Sequence, residues 1–181
     1  MTTARRAAGR PAIALDSTEA RRVAIDLLAR KSWTERELAR RLEQRGAPEE
    51  VAQAVVADLR SRGYLDDAAF ARWWAQARAQ GRRVGSARLR RELLGKGIAP
   101  DLVATALSAA FETASELDRA TEAGRKRLAA LGRSGRDAVP NRLHDYLLRR
   151  GYPSSVVRRV VKALLAIDLG EGPAAADEAS V

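Results

Sequence analysis

Three tandem copies of one three-helix unit, forming an elongated, curved all-α array, are predicted by three features of this sequence. The first is a recurrence: the pattern Leu-x3-Leu-x3-Gly occurs at Leu38, Leu42 and Gly46, at Leu89, Leu93 and Gly97, and at Leu143, Leu147 and Gly151. The second lies beyond each glycine, where positions +5, +9 and +13 hold Val51, Val55 and Leu59, then Leu102, Ala106 and Ala110, then Val156, Val160 and Leu164, all apolar. The third is composition. The chain is 46% hydrophobic but only 4% aromatic, and Ala, Leu and Val supply most of the apolar surface, which favours helices over sheets.

The elements follow in chain order. Residues 1–16, rich in Ala and Arg, read as a disordered basic arm. The first unit, 17–65, opens with an amphipathic helix from Glu19 to Lys31 that carries Ile25 and Leu28 at helical spacing. Thr34 and Glu37 have the Ser/Thr-x-x-Glu spacing of a capping box, and Trp33 before them suits a hydrophobic staple. Leu38 and Leu42, four residues apart, then face one core. Gly46 ends that helix by taking the left-handed conformation at no Cβ penalty, and Pro48 suits the first turn of the next.

The second unit, 66–112, repeats this plan. Asp66 or Asp67 caps a helix from Asp67 to Gln80, with Phe70 and Trp74 on its core stripe and Trp73 on the flank, so that all three tryptophans read as structural. Gly97 and Pro100 again separate the last two helices. In the third unit, 115–167, the first helix runs from about Ser115 to Leu131 with Leu117, Leu128 and Leu131 at helical spacing, and Gly151 and Pro153 complete the pattern. Residues 168–181 contain Asp and Glu but no Lys or Arg, and read as a disordered acidic tail. A unit of roughly 50 residues buries little by itself, so neighbouring units are expected to pack together.

Function classes narrow next. With 33 Lys+Arg against 23 Asp+Glu, the formal charge of +10 attracts polyanions or acidic protein surfaces. Cysteine is absent, which excludes disulfides and thiolate metal sites and leaves the cytoplasm as the expected location. His144 is the only histidine, so neither a His-based metal cluster nor a Cys/His nucleophilic pair is available, and it reads as a surface residue. Gly95-Lys96-Gly97 lacks the glycine spacing and following Ser/Thr of a phosphate loop and reads as a helix end. No apolar run reaches the length of about 18 residues that a transmembrane helix needs. The expectation is a monomeric binding protein without cofactor, metal, catalytic residue or membrane partner.

Two basic groups are the candidate contacts. Gly81-Arg82-Arg83-Val84-Gly85 is a basic connection followed by Arg88, Arg90 and Arg91; with Leu89 and Leu93 facing the core, Arg88 and Arg91 fall on the opposite face one turn apart. The second group is Arg149, Arg150, Arg158, Arg159 and Lys162 in the third unit. Arg45, Lys96 and Arg150 each stand just before a repeat glycine, where a cation also complements the helix C-terminus.

Gly63-Tyr64-Leu65-Asp66-Asp67, Phe70-Ala71, Arg78, Gly85, Leu89, Glu92-Leu93 and Lys96-Gly97-Ile98 resemble the central signature of the RecX family of bacterial recombination regulators. Leu27-Leu28-Ala29-Arg30 with Glu37-Leu38 and Leu42 resembles that family's first unit, and Tyr146-Leu147-Leu148-Arg149-Arg150-Gly151-Tyr152 its last. The resemblance spans residues 20–166. It implies three tandem three-helix units, and a non-enzymatic role in binding the RecA recombinase filament on DNA within its groove, so limiting strand exchange, ATP hydrolysis and co-protease activity. The alternative is a direct binder of single- or double-stranded DNA that uses its helix-Gly-Pro-helix elements as helix-turn-helix-like modules.

Overall fold

The computed structural model describes residues 14–81, 84–112, 115–131 and 138–168. Among these it contains no strand and nine helices: α1 (Ser17–Leu28), α2 (Glu35–Glu43), α3 (Glu49–Ser61), α4 (Asp67–Gly81), α5 (Ser86–Gly95), α6 (Pro100–Glu112), α7 (Glu116–Leu131), α8 (Val139–Arg149) and α9 (Ser154–Asp168). The chain divides after Phe70 into two compact units, Met1–Phe70 and Ala71–Val181, so that the second and third repeats share one unit.

The repeat pattern translates directly into burial. All six pattern leucines, Leu38, Leu42, Leu89, Leu93, Leu143 and Leu147, are 0% exposed. Beyond each glycine the +5 residue is half-buried and the +9 and +13 residues are buried in every copy. The three glycines have φ of 99°, 88° and 84°, and the residue after each donates its N–H to the carbonyl of the second pattern leucine: Ala47 to Leu42 at 3.0 Å, Ile98 to Leu93 at 3.2 Å, Tyr152 to Leu147 at 3.3 Å. These bonds satisfy carbonyls that the helix end leaves open. Leu93→Ala is therefore expected to remove about 3 kcal/mol of stability, measured by urea unfolding of the full chain.

Several expectations need correction. Of the three prolines that follow the repeat glycines, Pro100 alone lies within a first helical turn; Pro48 and Pro153 occupy the position before the helix, where their carbonyls accept from Ala52 and Val157, each at 2.9 Å. The fold begins earlier than the expected arm allows. Leu15 donates its N–H to the Gly46 carbonyl at 3.0 Å, and Asp16 forms a complete capping box with Glu19. Asp168 is the last residue of α9, and residues 1–13 and 169–181 of the expected arm and tail lie outside the described residues.

The first helix of each repeat buries small residues that the spacing of large apolar ones did not single out: Ala20 and Ala24 in α1, Ala71, Ala75 and Ala79 in α4, and Ala120, Ala123 and Gly124 in α7. Phe70 is buried beside them as expected, and Leu28, Leu117 and Leu128 pack part-buried against the same cores. Ile25, expected in the core, is half exposed. Small side chains let the neighbouring helices approach closely; a Cβ on Gly124 would stand 2.7 Å from Leu164 Cδ1 and 3.2 Å from Val160 Cγ1 of α9.

Caps cross between repeats. Asp66 caps α4 itself, accepting the Ala69 N–H at 2.8 Å, whereas Asp67 turns to the preceding repeat and accepts the Glu35 N–H at the start of α2 at 3.0 Å. Glu116, at the start of α7, does the same for α5, taking the Ser86 N–H at 2.7 Å and the Ser86 hydroxyl at 2.8 Å. The N-cap of α5 is Gly85, which has no side chain of its own to offer.

Burial pushes the Asp67 carboxyl above its ordinary 3.8, with the Glu35 N–H acting in the opposite direction. A raised native pKa means that this group's stabilising contribution is complete below its unfolded pKa and is lost as pH rises through the native value. Asp67→Asn keeps an acceptor for Glu35 without the charge, so it should change stability by under about 0.5 kcal/mol at pH 7 and remove that fall, leaving a steeper rise of stability with pH on the acid side. Asp67→Ala, which removes the cap, should cost about 1 kcal/mol in the same unfolding measurement.

Candidate partner-binding surface

The second and third repeats meet through two glycines. Gly85 donates its N–H to the Arg150 carbonyl at 2.9 Å, and Ala87 donates to the Gly151 carbonyl at 3.2 Å. A Cβ on Gly85 would collide with the Gly151 carbonyl, and a Cβ on Gly151 would collide with Arg88 Cβ. Backbone contact this close is open only to residues without side chains. Its consequence is that the start of α5, with Arg88, rests on the turn that carries Arg149 and Arg150. Arg88 of the first basic group and Arg149 and Arg150 of the second, some sixty residues apart in the sequence, thus lie at one edge.

Arg88, Arg90, Arg91 and Arg149 are exposed, and Arg150 is half-buried. Arg91 Nε reaches the Ala87 carbonyl at 3.4 Å, and the Arg150 guanidinium lies 4.9 Å from the centre of the Tyr146 ring. Arg158, Arg159 and Lys162 are exposed on α9, outside its buried stripe of Val157, Val160 and Leu164. No contact among the described residues ties those three to the α5 edge. Arg82 and Arg83 lie outside the described residues. Tyr152, buried in the same turn, has its phenol pushed up to about 12, chiefly by loss of solvent.

Glu92 is the organising residue that sequence reading missed. Its carboxylate pairs with Arg88 at 2.9 Å and Arg78 at 3.3 Å and accepts the Trp74 indole N–H at 3.3 Å. Arg78 and Lys96 lie over the Trp74 ring, 4.1 and 4.4 Å from its centre. The signal was present as spacing, since Arg88 and Glu92 stand four apart on α5 and Trp74 and Arg78 four apart on α4. Lys96, read as a complement to the helix end, also stacks on this ring.

Trp73 departs from its structural reading. It is 62% exposed, because it sits two residues past buried Ala71 and so points away from the alanine stripe of α4. Its ring meets Trp74 edge to face with 6.4 Å between centres, and beside it Arg72, Gln76 and Ala77 line a shallow depression. His144 is partly exposed beside Asp145, as expected of a surface residue. Among the described residues, no three His, Cys, Asp or Glu side chains are placed to hold a metal ion, and no helix is long and apolar enough to cross a membrane. What the surface offers chemically is fixed guanidinium groups and aromatic faces, suited to anions and acidic protein.

Comparison with known proteins places the three-repeat fold in a family. Residues 20–59, 66–107 and 114–161 match the family models described as the first, second and third three-helix domains of RecX. The protein named regulatory protein RecX from Mycobacterium marinum is 38% identical over 151 residues, covering 83% of this chain and 87% of that one. Its namesake from Leptothrix cholodnii is 39% identical over 140 residues, covering 77% and 85%. The crystal structure of RecX from Lactobacillus salivarius superposes with a TM-score of 0.69 at 15% identity, over 85% of this chain and 97% of that one, and so shares the fold. With all three domains matched in order and relatives at this identity over most of their length, the chain belongs to the RecX family of regulatory proteins.

Proposed function

We propose that this protein binds the RecA filament on DNA and restrains its recombinase, ATPase and co-protease activities, acting by occupancy, as a monomer in the cytoplasm. The observation that carries this reading is the joined edge of α5 and the α8–α9 turn, which sets Arg88, Arg90, Arg91 and Arg149 outward on a backbone contact that only glycines permit. Arginines held on a rigid element engage carboxylates with less loss of freedom than arginines on a loop. Family membership and the formal charge of +10 point the same way. In the test, near-stoichiometric protein should depress the DNA-dependent ATPase of the cognate RecA; unchanged ATPase at that ratio would remove the proposal.

A second reading, direct binding of single- or double-stranded DNA, is favoured by exposed Trp73 beside Arg72 and Gln76, a set suited to base stacking and phosphate contact. Fluorescence anisotropy on naked and RecA-coated DNA across a salt series separates the two. Affinity for naked DNA equal to or above that for coated DNA, with a steep salt slope, would favour the second.

A further inference from the structure

The first unit carries a groove that the reading above does not use. It has a volume of about 370 Å³ and lies between the end of α1 and the last turns of α2, with Leu27 and Trp33 in its lining and Arg30, Arg40, Arg41 and Arg45 around it. One carboxylate, Glu37, is in the lining. Three arginines elsewhere on this unit are neutralised within the chain: Arg21 and Arg62 pair with Asp58 at 3.1 and 3.0 Å, and Arg60 pairs with Glu35 at 3.2 Å. By contrast, no ion pair among the described residues joins Arg30, Arg40, Arg41 or Arg45 to a carboxylate; Arg41 is held by the neutral Gln44 side chain at 3.1 Å. Four arginines thus face one carboxylate around an apolar floor, an excess of positive charge.

The details of that floor choose between classes of anion. Trp33 has its indole N–H committed to the Leu27 carbonyl at 3.0 Å, and Lys31 covers a face of its ring with Nζ 3.6 Å from the centre. A covered ring is a poor platform for a nucleic-acid base. A sugar-phosphate backbone has nothing apolar to bury against Leu27. An acidic polypeptide with one apolar side chain among its carboxylates satisfies both the floor and the rim.

We infer that this groove is a docking site for an acidic, extended protein segment anchored by a single apolar side chain, separate from the arginine edge of the second unit. The inference stands whether or not the protein binds RecA, because its test contains no RecA. A fluorescein-labelled peptide of Glu and Asp around one central Leu is titrated with the full chain, in parallel with a control peptide in which Ser replaces the Leu. The Leu peptide should bind and should shift the Trp33 indole N–H resonance, identified through Trp33→Phe. The control should bind more weakly, and the doubly substituted Arg40→Ala, Arg45→Ala chain should lose about tenfold in affinity with helicity unchanged, since both arginines are exposed. No binding, equal binding of the two peptides, or equal binding by the doubly substituted chain overturns the inference. Displacement of the peptide by an equimolar single-stranded thymidine oligonucleotide also overturns it and makes the groove a nucleic-acid contact instead.

Discussion

Gly151→Val is expected to remove about 4 kcal/mol or more of stability from the second unit, the largest loss foreseen for a single substitution here. Two costs coincide at this residue. Its φ of 84° lies in the left-handed region, where a β-branched side chain is strained by about 1–3 kcal/mol. A Cβ would in addition meet Arg88 at its Cβ, backbone nitrogen and Cα, and the latter two have no rotamer with which to escape. The turn must then retreat from α5, losing the bonds from Gly85 to Arg150 and from Ala87 to Gly151. Gly46, with φ 99° and open space around its Cβ position, is the internal control: Gly46→Val carries the strain without the collision. Urea unfolding of both variants measures the difference, and equal losses at the two sites would show that the α5 contact adds nothing.

That comparison also marks where sequence ends and tertiary structure begins. The glycines at 46, 97 and 151 are equivalent in the pattern and in their backbone angle, and the leucines before them were legible because a repeat of four on a helix faces one core. That Gly151, unlike Gly46, abuts Arg88 follows from pairing between repeats, which no local spacing encodes. For the same reason the capping of α2 by Asp67 and of α5 by Glu116 went unseen: each bond spans some thirty residues. The alanine stripes of α1, α4 and α7 were passed over because a periodicity search weights large apolar residues, and Ile25 outranks Ala24 on that measure although Ala24 is the buried one. At the candidate site, exposure of Arg88 and Arg91 followed from facing Leu89 and Leu93 inward, whereas the approach of Arg88 to the turn that carries Arg150 depended on the Gly85–Gly151 contact.

Replacing Arg82, Arg83, Arg88 and Arg91 with alanine is expected to raise the concentration needed to inhibit the RecA ATPase by about 30-fold or more, at about 0.5–1 kcal/mol for each exposed charge pair lost. Arg88 differs from the others. Its guanidinium is bound to Glu92, so part of its charge is already answered, and its removal leaves Glu92 to Arg78 and the Trp74 indole, which keep that carboxylate paired. Arg88→Ala alone should therefore weaken inhibition less than Arg91→Ala alone, while costing about 0.3–0.5 kcal/mol of stability as a lost helix pair. Substituting Arg158, Arg159 and Lys162 removes three positive charges from α9, against four in the first set, without touching the α5 edge. If the partner reads only net charge, the two sets will reduce inhibition in proportion to the charge removed and both effects will vanish at high salt. If it reads the edge assembled by Gly85 and Gly151, the α5 set alone will produce the large loss, and Gly151→Val will reproduce it with every arginine still present.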